Sequence, residues 1–384
     1  MMRTATLRRW YLIHRWTSLV CTLLLLMACL TGLPLVFEDE LGDLLAPHVH
    51  PAQTTSGAST ASLDRMVVQA REIYPALHPY AIGFDDDEPR VFVNMTATEN
   101  PKSISEFHQV IFDRHSGVKL EEPKSGSSVM NAVLELHRSL FLGLPGELIM
   151  AIVALCFVAS LVSGTMLYAP FMRRLRFGTY RINGPFQLRW FDLHNVVGIV
   201  TLMWMLVVGT TGLMNTLATP LFRLWRMQTM PELLKPYHGK TKPAHVIPVD
   251  EAVRTAEERL SSMEVASVLF PNGAVGSPLH YVVWMKGETP ITARLMTPAL
   301  IDVETGSMTA ARPLPWYLRA LEVSRPLHFG DYGGTPLKIL WGGFDLAATL
   351  VLVSGVYLWL KKQNPFRAEL IEDANAPTVQ EAGA

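Results

Sequence analysis

The chain has 384 residues, a net charge of −1, 49% hydrophobic residues and only 17% charged ones. A mean hydropathy of +0.22 is too high for an ordinary soluble domain and indicates a membrane protein with sizeable polar parts. The balanced charge leaves no basic footprint for a nucleic-acid partner. The three cysteines, Cys21, Cys29 and Cys156, lie inside apolar runs and build no CxxC or CxxCH, which removes structural zinc, redox dithiols and covalently attached haem. Cys21 and Cys29 would stand about 12 Å apart on one helix, too far to bridge.

Residues 1–37 hold Arg3, Arg8, Arg9 and Arg15, no acid before the apolar run, and then a run over 16–37 long enough to span a bilayer. Leu26-Met27-Ala28-Cys29 faintly resembles a lipoprotein cleavage box, yet the same template returns mid-chain, where no cleavage signal belongs. A retained span explains both copies. Residues 38–135 are polar. A Ser/Thr/Ala-rich tract from Pro51 to Ser62 reads as a linker, followed by an amphipathic helix over 62–74 and strand-like runs over 80–84, 90–95 and 108–113. Asp113 to Gly117 has the chemistry of a tight turn. One helix with a short antiparallel sheet is a small α+β module.

Residues 136–170 begin beside His137, are bent by Gly143-Leu144-Pro145-Gly146 and continue as a second span over 147–170. A basic loop, 171–189, with Arg173, Arg174, Arg176, Arg181 and Arg189 leads to a third span, 190–217. Residues 218–325 form a second polar region. It predicts a helix over 249–262 and strands at 265–270, 280–285 and 293–302, closing on Asp302-Val303-Glu304-Thr305-Gly306, the counterpart of the first turn. His328 and another glycine-rich bend open residues 326–362, whose span covers 337–360, and 363–384 reads as a disordered tail. The basic segments place both termini and the 171–189 loop in the cytoplasm. The expected architecture is a mostly α membrane protein. It is a four-helix transmembrane bundle carrying two extracytoplasmic α+β modules.

The apolar segments repeat. Arg9, Trp10, His14 and Thr31-Gly32-Leu33 align without a gap with Arg189, Trp190, His194 and Thr211-Gly212-Leu213. His137 is followed 26 residues later by Ser163-Gly164, and His328 by Ser354-Gly355 at the same interval. This points to an internal duplication. It places His14 and His194 toward the cytoplasm and His137 and His328 toward the periplasm, one pair per face. Ionisable residues beside apolar spans are functional candidates. Two histidines on facing helices suit bis-His haem iron, whereas zinc wants three or four ligands. The expected cofactors are two non-covalent haem b groups. Gly32, Gly198 and the glycines near His137 and His328 would admit a macrocycle close to backbone. Arg9, Arg189, Arg138 and Arg325, with Arg15, are candidate propionate contacts. The other eight histidines (48, 50, 78, 108, 115, 238, 245 and 280) read as surface residues. Glu147, Asp192 and Asp345 read as capping or interfacial groups at span ends, with proton handling as the minor alternative. No nucleophile–base set stands out, so no catalytic residue is assigned. No dinucleotide fingerprint is present either, and the donor is expected to be a quinol, a reduced flavin or a flavin reductase.

The motifs RWYLIHRW, TGLPL, LHRSLFLG, SGTMLY, RWFDLHNVVG and SGVYLWLKK, with the two Asp-x-x-Ser/Thr-Gly turns, resemble the PepSY-associated transmembrane family of bacterial inner-membrane proteins over about residues 8–362. Within that family the chain is similar to the di-haem reductase of ferrioxamine-type siderophores. The resemblance implies PepSY-like modules in both polar regions. It also implies an oxidoreductase that reduces a ferric hydroxamate siderophore in the periplasm and releases Fe(II), with His14, His194, His137 and His328 as haem ligands. Two other readings stay open: a cytochrome-b-like subunit exchanging electrons with quinol or a partner protein, and a non-enzymatic membrane-anchored module that binds or inhibits a partner. Trp225, Trp284, Trp316 and Tyr317 read as packing or interface anchors, with a siderophore-facing surface as the alternative.

Overall fold

The computed structural model describes residues 4–45, 60–85, 88–98, 101, 106–120, 126–170, 177–241, 243, 245–272 and 277–361. His48, His50, most of the 51–62 linker, Arg173, Arg174, Arg176 and the 363–384 tail lie outside them. The chain divides into two compact units, one from Met1–Leu41, Ser128–Leu217 and Ser324–Ala384, the other from Gly42–Ser127 and Ala218–Val323.

The first unit is helical because its apolar runs leave the backbone no partner but itself, and only a helix closes every hydrogen bond within one segment. α1 (Thr4–Val36) ends in a turn before α2 (Glu38–Leu45). The short α4 (Gly126–Ser139) precedes α5 (Leu144–Tyr168), and α6 is Phe186–Thr216. The short α9 (Trp316–Phe329) precedes α10 (Gly334–Leu360). Four helical stretches, Ala5–Val36, Leu144–Tyr168, Phe186–Thr216 and Asp331–Leu360, are long and apolar enough to cross a membrane. α1 packs on α5 and α10, and α6 packs on the same two, so α1 and α6 stand diagonally across a ring of four. Leu161, Met205 and Ala348 are buried at its middle, with Cys29, Phe157 and Trp204 packed around them.

The α4–α5 bend is tighter than glycine content alone indicates. Leu140 (φ 54°) and Phe141 (φ 59°) both take the left-handed region, which is uncommon for non-glycine residues. The bend closes only because Gly146 lacks a Cβ, which would run into the Ser139 carbonyl. Pro145 then starts α5 where its missing N–H is harmless.

The second unit gathers both polar segments into one structure. α3 (Leu63–Ile73), β1 (His78–Phe84), β2 (Arg90–Thr96) and β3 (Phe107–Asp113) come from the first. α7 (Ala218–Leu233), α8 (Val249–Arg259), β4 (Met263–Leu269), β5 (His280–Gly287), β6 (Thr297–Asp302) and β7 (Met308–Ala311) come from the second. The strands form a single antiparallel sheet of order β3-β2-β1-β4-β5-β6-β7. The join is β1 with β4, Ile82 opposite Val268. The two modules expected separately therefore share one seven-stranded sheet. The expected strand over 293–302 is shorter, preceded by a 3₁₀ turn at Thr292–Arg294, and β7 was not expected.

α3 and α8 cover one face, burying Met66, Val67, Ala70, Ala252 and Ala256 on Ile82, Val93, Phe112, Val268, Val283 and Ile301. Their N-termini cap each other. Asp64 accepts the backbone N–H groups of Val249 and Asp250, and Asp250 accepts those of Leu63 and Asp64 and the Ser62 hydroxyl. Each carboxylate thus fills the donors that a first helical turn leaves open. Burial beside the other acid lifts Asp64 above the usual carboxylate range.

His280 corrects the surface reading: it is fully buried, its Nδ1 2.9 Å from the Ser277 hydroxyl and its ring 4.3 Å from that of Tyr237. Its strand faces α7 on that side, where Trp284 meets Trp225 at 6.1 Å. The alternation of β5 showed which residues share a face, and an element remote in sequence decided that this face is covered. His78, His108, His238 and His245 are exposed and His115 half-buried. Trp316 is exposed, with Tyr317 as its ring neighbour.

Candidate cofactor site: two facing histidine pairs

His14 lies ten residues from the described start of α1, and His194 at the corresponding end of the parallel α6. Being diagonal in the ring, the two helices turn these imidazoles toward each other, with ring centroids 6.4 Å apart and planes crossing at 71°. His137 on α4 and His328 on α9 make the second pair, again at 6.4 Å, with planes at 59°.

Each imidazole is held by one local pattern on a neighbouring spanning helix: a backbone carbonyl, a hydroxyl three residues on, and a glycine next. His14 Nδ1 is 2.9 Å from the Ser160 carbonyl and 3.5 Å from the Ser163 hydroxyl, and its Cε1 would lie 3.1 Å from a Cβ on Gly164. His194 meets Val351 O at 3.0 Å, Ser354 Oγ at 3.0 Å and the Gly355 face. His137 meets the Ala28 carbonyl, Thr31 Oγ1 at 2.9 Å and the Gly32 face. His328 meets Val208 O at 3.1 Å, Thr211 Oγ1 at 3.2 Å and the Gly212 face. The hydroxyl–glycine dyads visible in sequence thus serve crosswise. Thr31-Gly32 backs His137 rather than His14 on its own helix, and Ser163-Gly164 backs His14.

This pattern fixes the tautomer. The Ser163, Ser354, Thr31 and Thr211 hydroxyls donate to carbonyls of their own helices, to Ala159, Val351, Met27 and Val207. Their oxygens are therefore acceptors toward the rings, as are the backbone carbonyls. Nδ1 carries the proton in all four histidines, and Nε2 keeps the lone pair a metal needs. A hydrogen bond on Nδ1 also orients the ring and raises the basicity of Nε2.

The spacing suits one metal ion between two imidazoles. With a metal–nitrogen bond of about 2.0–2.1 Å and a ring centre about 1.1 Å behind the nitrogen, two axial imidazoles put their centroids about 6.3 Å apart. Among the described residues no group of three or more His, Cys, Asp or Glu converges to hold a metal. Two nitrogens per centre leave four equatorial positions of an octahedral ion to a planar macrocycle. The residues therefore fit a bis-His haem. Val208 follows His194 by fourteen residues on α6, so the two levels are about 21 Å apart along the bundle, within a hydrocarbon core of about 30 Å.

The arginines divide. Arg15 and Arg189 each have a buried Nε without a partner among the described residues, with the guanidinium over Trp16 and Phe186 respectively. Arg9 is exposed. Arg138 is ion-paired to Glu147 at 3.4 Å and Glu135 at 3.8 Å. Arg325 is half-buried, three residues before His328. Asn215, one turn beyond Thr211, buries both ends of its amide unpartnered; its isolation in an otherwise apolar stretch was the signal the sequence offered. Gly198 has open space on its Cβ side. Asp192 is ion-paired with Arg181 at 2.8 Å, and Glu147 lies in the first turn of α5. Asp345 departs from expectation: it lies near the middle of α10, beside the Cys29 thiol.

Four helices long and apolar enough to cross a membrane, with two levels of facing histidines, define the class of a multi-pass membrane protein. The chain belongs to the family of the PepSY-associated TM region, whose profile matches residues 11–362. It is also similar to the uncharacterized protein PA4219 of Pseudomonas aeruginosa, 27% identical over 263 residues, covering 61% of this chain and 64% of that relative. The matched stretch thus covers less than two thirds of that protein's length.

Proposed function

We propose that the chain is a di-haem b-type oxidoreductase of a bacterial inner membrane that carries electrons across it to reduce ferric siderophores in the periplasm. The observation that carries this reading is the pair of 6.4 Å imidazole separations, with each Nδ1 set against a backbone carbonyl and a hydroxyl. His14 and His194 would hold one haem near the cytoplasmic face, and His137 and His328 the other near the periplasmic face. When bound, each haem supplies a one-electron ferric–ferrous couple. The chain's own residues do the remaining work. The carbonyl–hydroxyl–glycine seats hold each ring in its ligating tautomer, and the buried Nε donors of Arg15 and Arg189 suit anionic propionates. The cluster around Leu161, Met205 and Ala348 excludes water between the levels.

The repeated seat supports an origin by duplication, and the basic segments support the orientation. Joining β1 to β4 requires both polar segments to lie on one side of the bilayer, as two intervening spans allow. The resemblance to ferrioxamine-type reductases supports a ferric hydroxamate as acceptor, with release of Fe(II); the donor is a quinol, reduced flavin or flavin reductase.

The test is a dithionite-reduced minus air-oxidised spectrum of the purified full chain with a pyridine haemochrome count. Reoxidation by ferric hydroxamates is then followed. Low-spin b-type bands, about two haems per chain, and reoxidation by the chelate are expected. A colourless protein after haem-supplemented expression overturns the reading. Haem that no ferric chelate reoxidises overturns the reductase and leaves electron transfer to a partner.

A further inference from the structure

An ionisable residue inside a spanning helix is rare and costly to insert. Asp345 is such a residue. It stands near the middle of α10, with the Cys29 thiol of α1 beside its carboxyl and the Thr349 hydroxyl one turn on. Cys29 in turn packs on the buried cluster of Leu161, Met205 and Ala348 between the two histidine levels. The helix itself relates Asp345 to both levels. Val351 and Ser354, which seat His194, follow it by six and nine residues, about 9–14 Å. Cys29 adjoins Ala28, whose carbonyl lies beside the His137 ring.

The opposite seam shows that packing does not require this pair. Aligning the two halves on their His and hydroxyl–glycine positions places Ala154 opposite Asp345 and Gly209 opposite Cys29. There the contact is apolar, with Phe157 lying against Gly209. One of two equivalent seams thus carries an acid and a thiol where the other carries none. The groups facing Asp345 are Cys29 from α1 and Thr349 from its own helix. From α6 the mid-bundle residues are Leu202, Trp204 and Leu206, none titratable. Lys338, seven residues earlier on α10, is bound to Asp39 at 3.1 Å and Glu40 at 3.3 Å.

We propose that Asp345 is an intramembrane proton-binding site coupled to electron occupancy of the two histidine levels. The inference rests on the haem reading above. Each electron that converts a ferric centre to ferrous adds one negative charge to a low-dielectric bundle, which favours the uncharged carboxyl. A solvent proton binds the carboxylate, giving the acid. When the electron leaves for the acceptor, the proton returns to solvent and the carboxylate is restored. Linkage makes the effect reciprocal: a protonated Asp345 raises the midpoint potential.

Spectroelectrochemical titration of the haem-loaded full chain over a pH series tests this. Wild-type midpoints are expected to fall as pH rises, by at most about 59 mV per tenfold change in proton concentration. Asp345→Asn is expected to abolish most of that slope with unchanged spectra, and Asp345→Glu to retain it. An Asn variant that keeps the wild-type slope overturns the proposal. If the Asn variant does not assemble, a reduced-minus-oxidised infrared difference spectrum of the wild-type chain decides. A protonated-carboxyl band gained on reduction supports the site, and its absence overturns it. A chain that binds no haem defeats the functional reading itself, whereas haems titrating without pH dependence defeat this proposal alone.

Discussion

The two histidine levels use one seat and differ in how the chain delivers the ligand to it. His14 and His194 ride within long spanning helices, so their positions follow from helix register. His137 and His328 sit on the short α4 and α9, and reach their seats only because the chain bends sharply before α5 and α10. Those bends contain Leu140 and Phe141 in left-handed conformation in one case and Gly330 (φ 85°) and Gly334 (φ 60°) in the other. Strain of this kind persists where surrounding structure over-determines it. The comparison teaches that identical local chemistry is anchored by register at one end and by loop geometry at the other, so damage at the two ends should differ.

The largest expected effect breaks one level at a time. His194→Ala should remove the haem of the first level and leave the second, taking the pyridine haemochrome count from about two to about one. His328→Ala should do the converse. Loss of both haems from either variant would show that the levels are not independent. Glycine substitution sharpens the contrast within the seats. A Cβ at Gly212 would come within 3.0 Å of His328 Cε1, whereas one at Gly355 would stay 3.4 Å from that of His194. Overpacking typically costs about 1–3 kcal/mol. Gly212→Ala should therefore lower haem retention and thermal stability clearly, and Gly355→Ala much less. Equal effects would show that the backing glycines do not set ring position.

The smallest effect belongs to the sheet unit and its paired turns. Burial works against the Asp302 anion, but the Thr305 and Glu304 N–H groups and the Tyr237 and Thr305 hydroxyls outweigh it and hold the carboxyl below its usual range. Asp113 is held low in the same way, burial being outweighed by Ser116 and His115. A carboxyl depressed in the folded state contributes stability above its unfolded pKa of about 3.9. That contribution is lost as pH falls through the lower folded value. Asp302→Asn should lower the melting temperature near neutral pH and flatten the wild-type decline on acidification. Parallel curves for the two proteins would remove Asp302 from the acid response.

Much of this was legible in the sequence. The four histidines, the hydroxyl–glycine dyads and the four spans announce themselves by period and hydropathy, and six of the seven strands by their runs. What was hidden is long-range. Nothing local to Thr31 says that it seats His137 more than a hundred residues away. Nothing in β1 says that its free edge pairs with β4, and nothing in β5 says that Tyr237 lies against His280. Arg138 looked available until the fold placed Glu147 beside it. Asp345 was read as a span-end group although it lies eight residues inside the expected 337–360 span, and only the packing of α1 against α10 brings Cys29 beside it.

The join between β1 and β4 also sets a clock. Ala81 pairs with Leu269, so β1 keeps an unpaired edge until almost two hundred further residues have been made. At about 5–20 residues per second that wait is on the order of ten to forty seconds, during which two membrane spans must also be inserted. An open strand edge invites pairing with any other extended chain. The β1 edge is therefore open to mispairing for that interval, and a chain that stops before residue 263 lacks the strand that closes it.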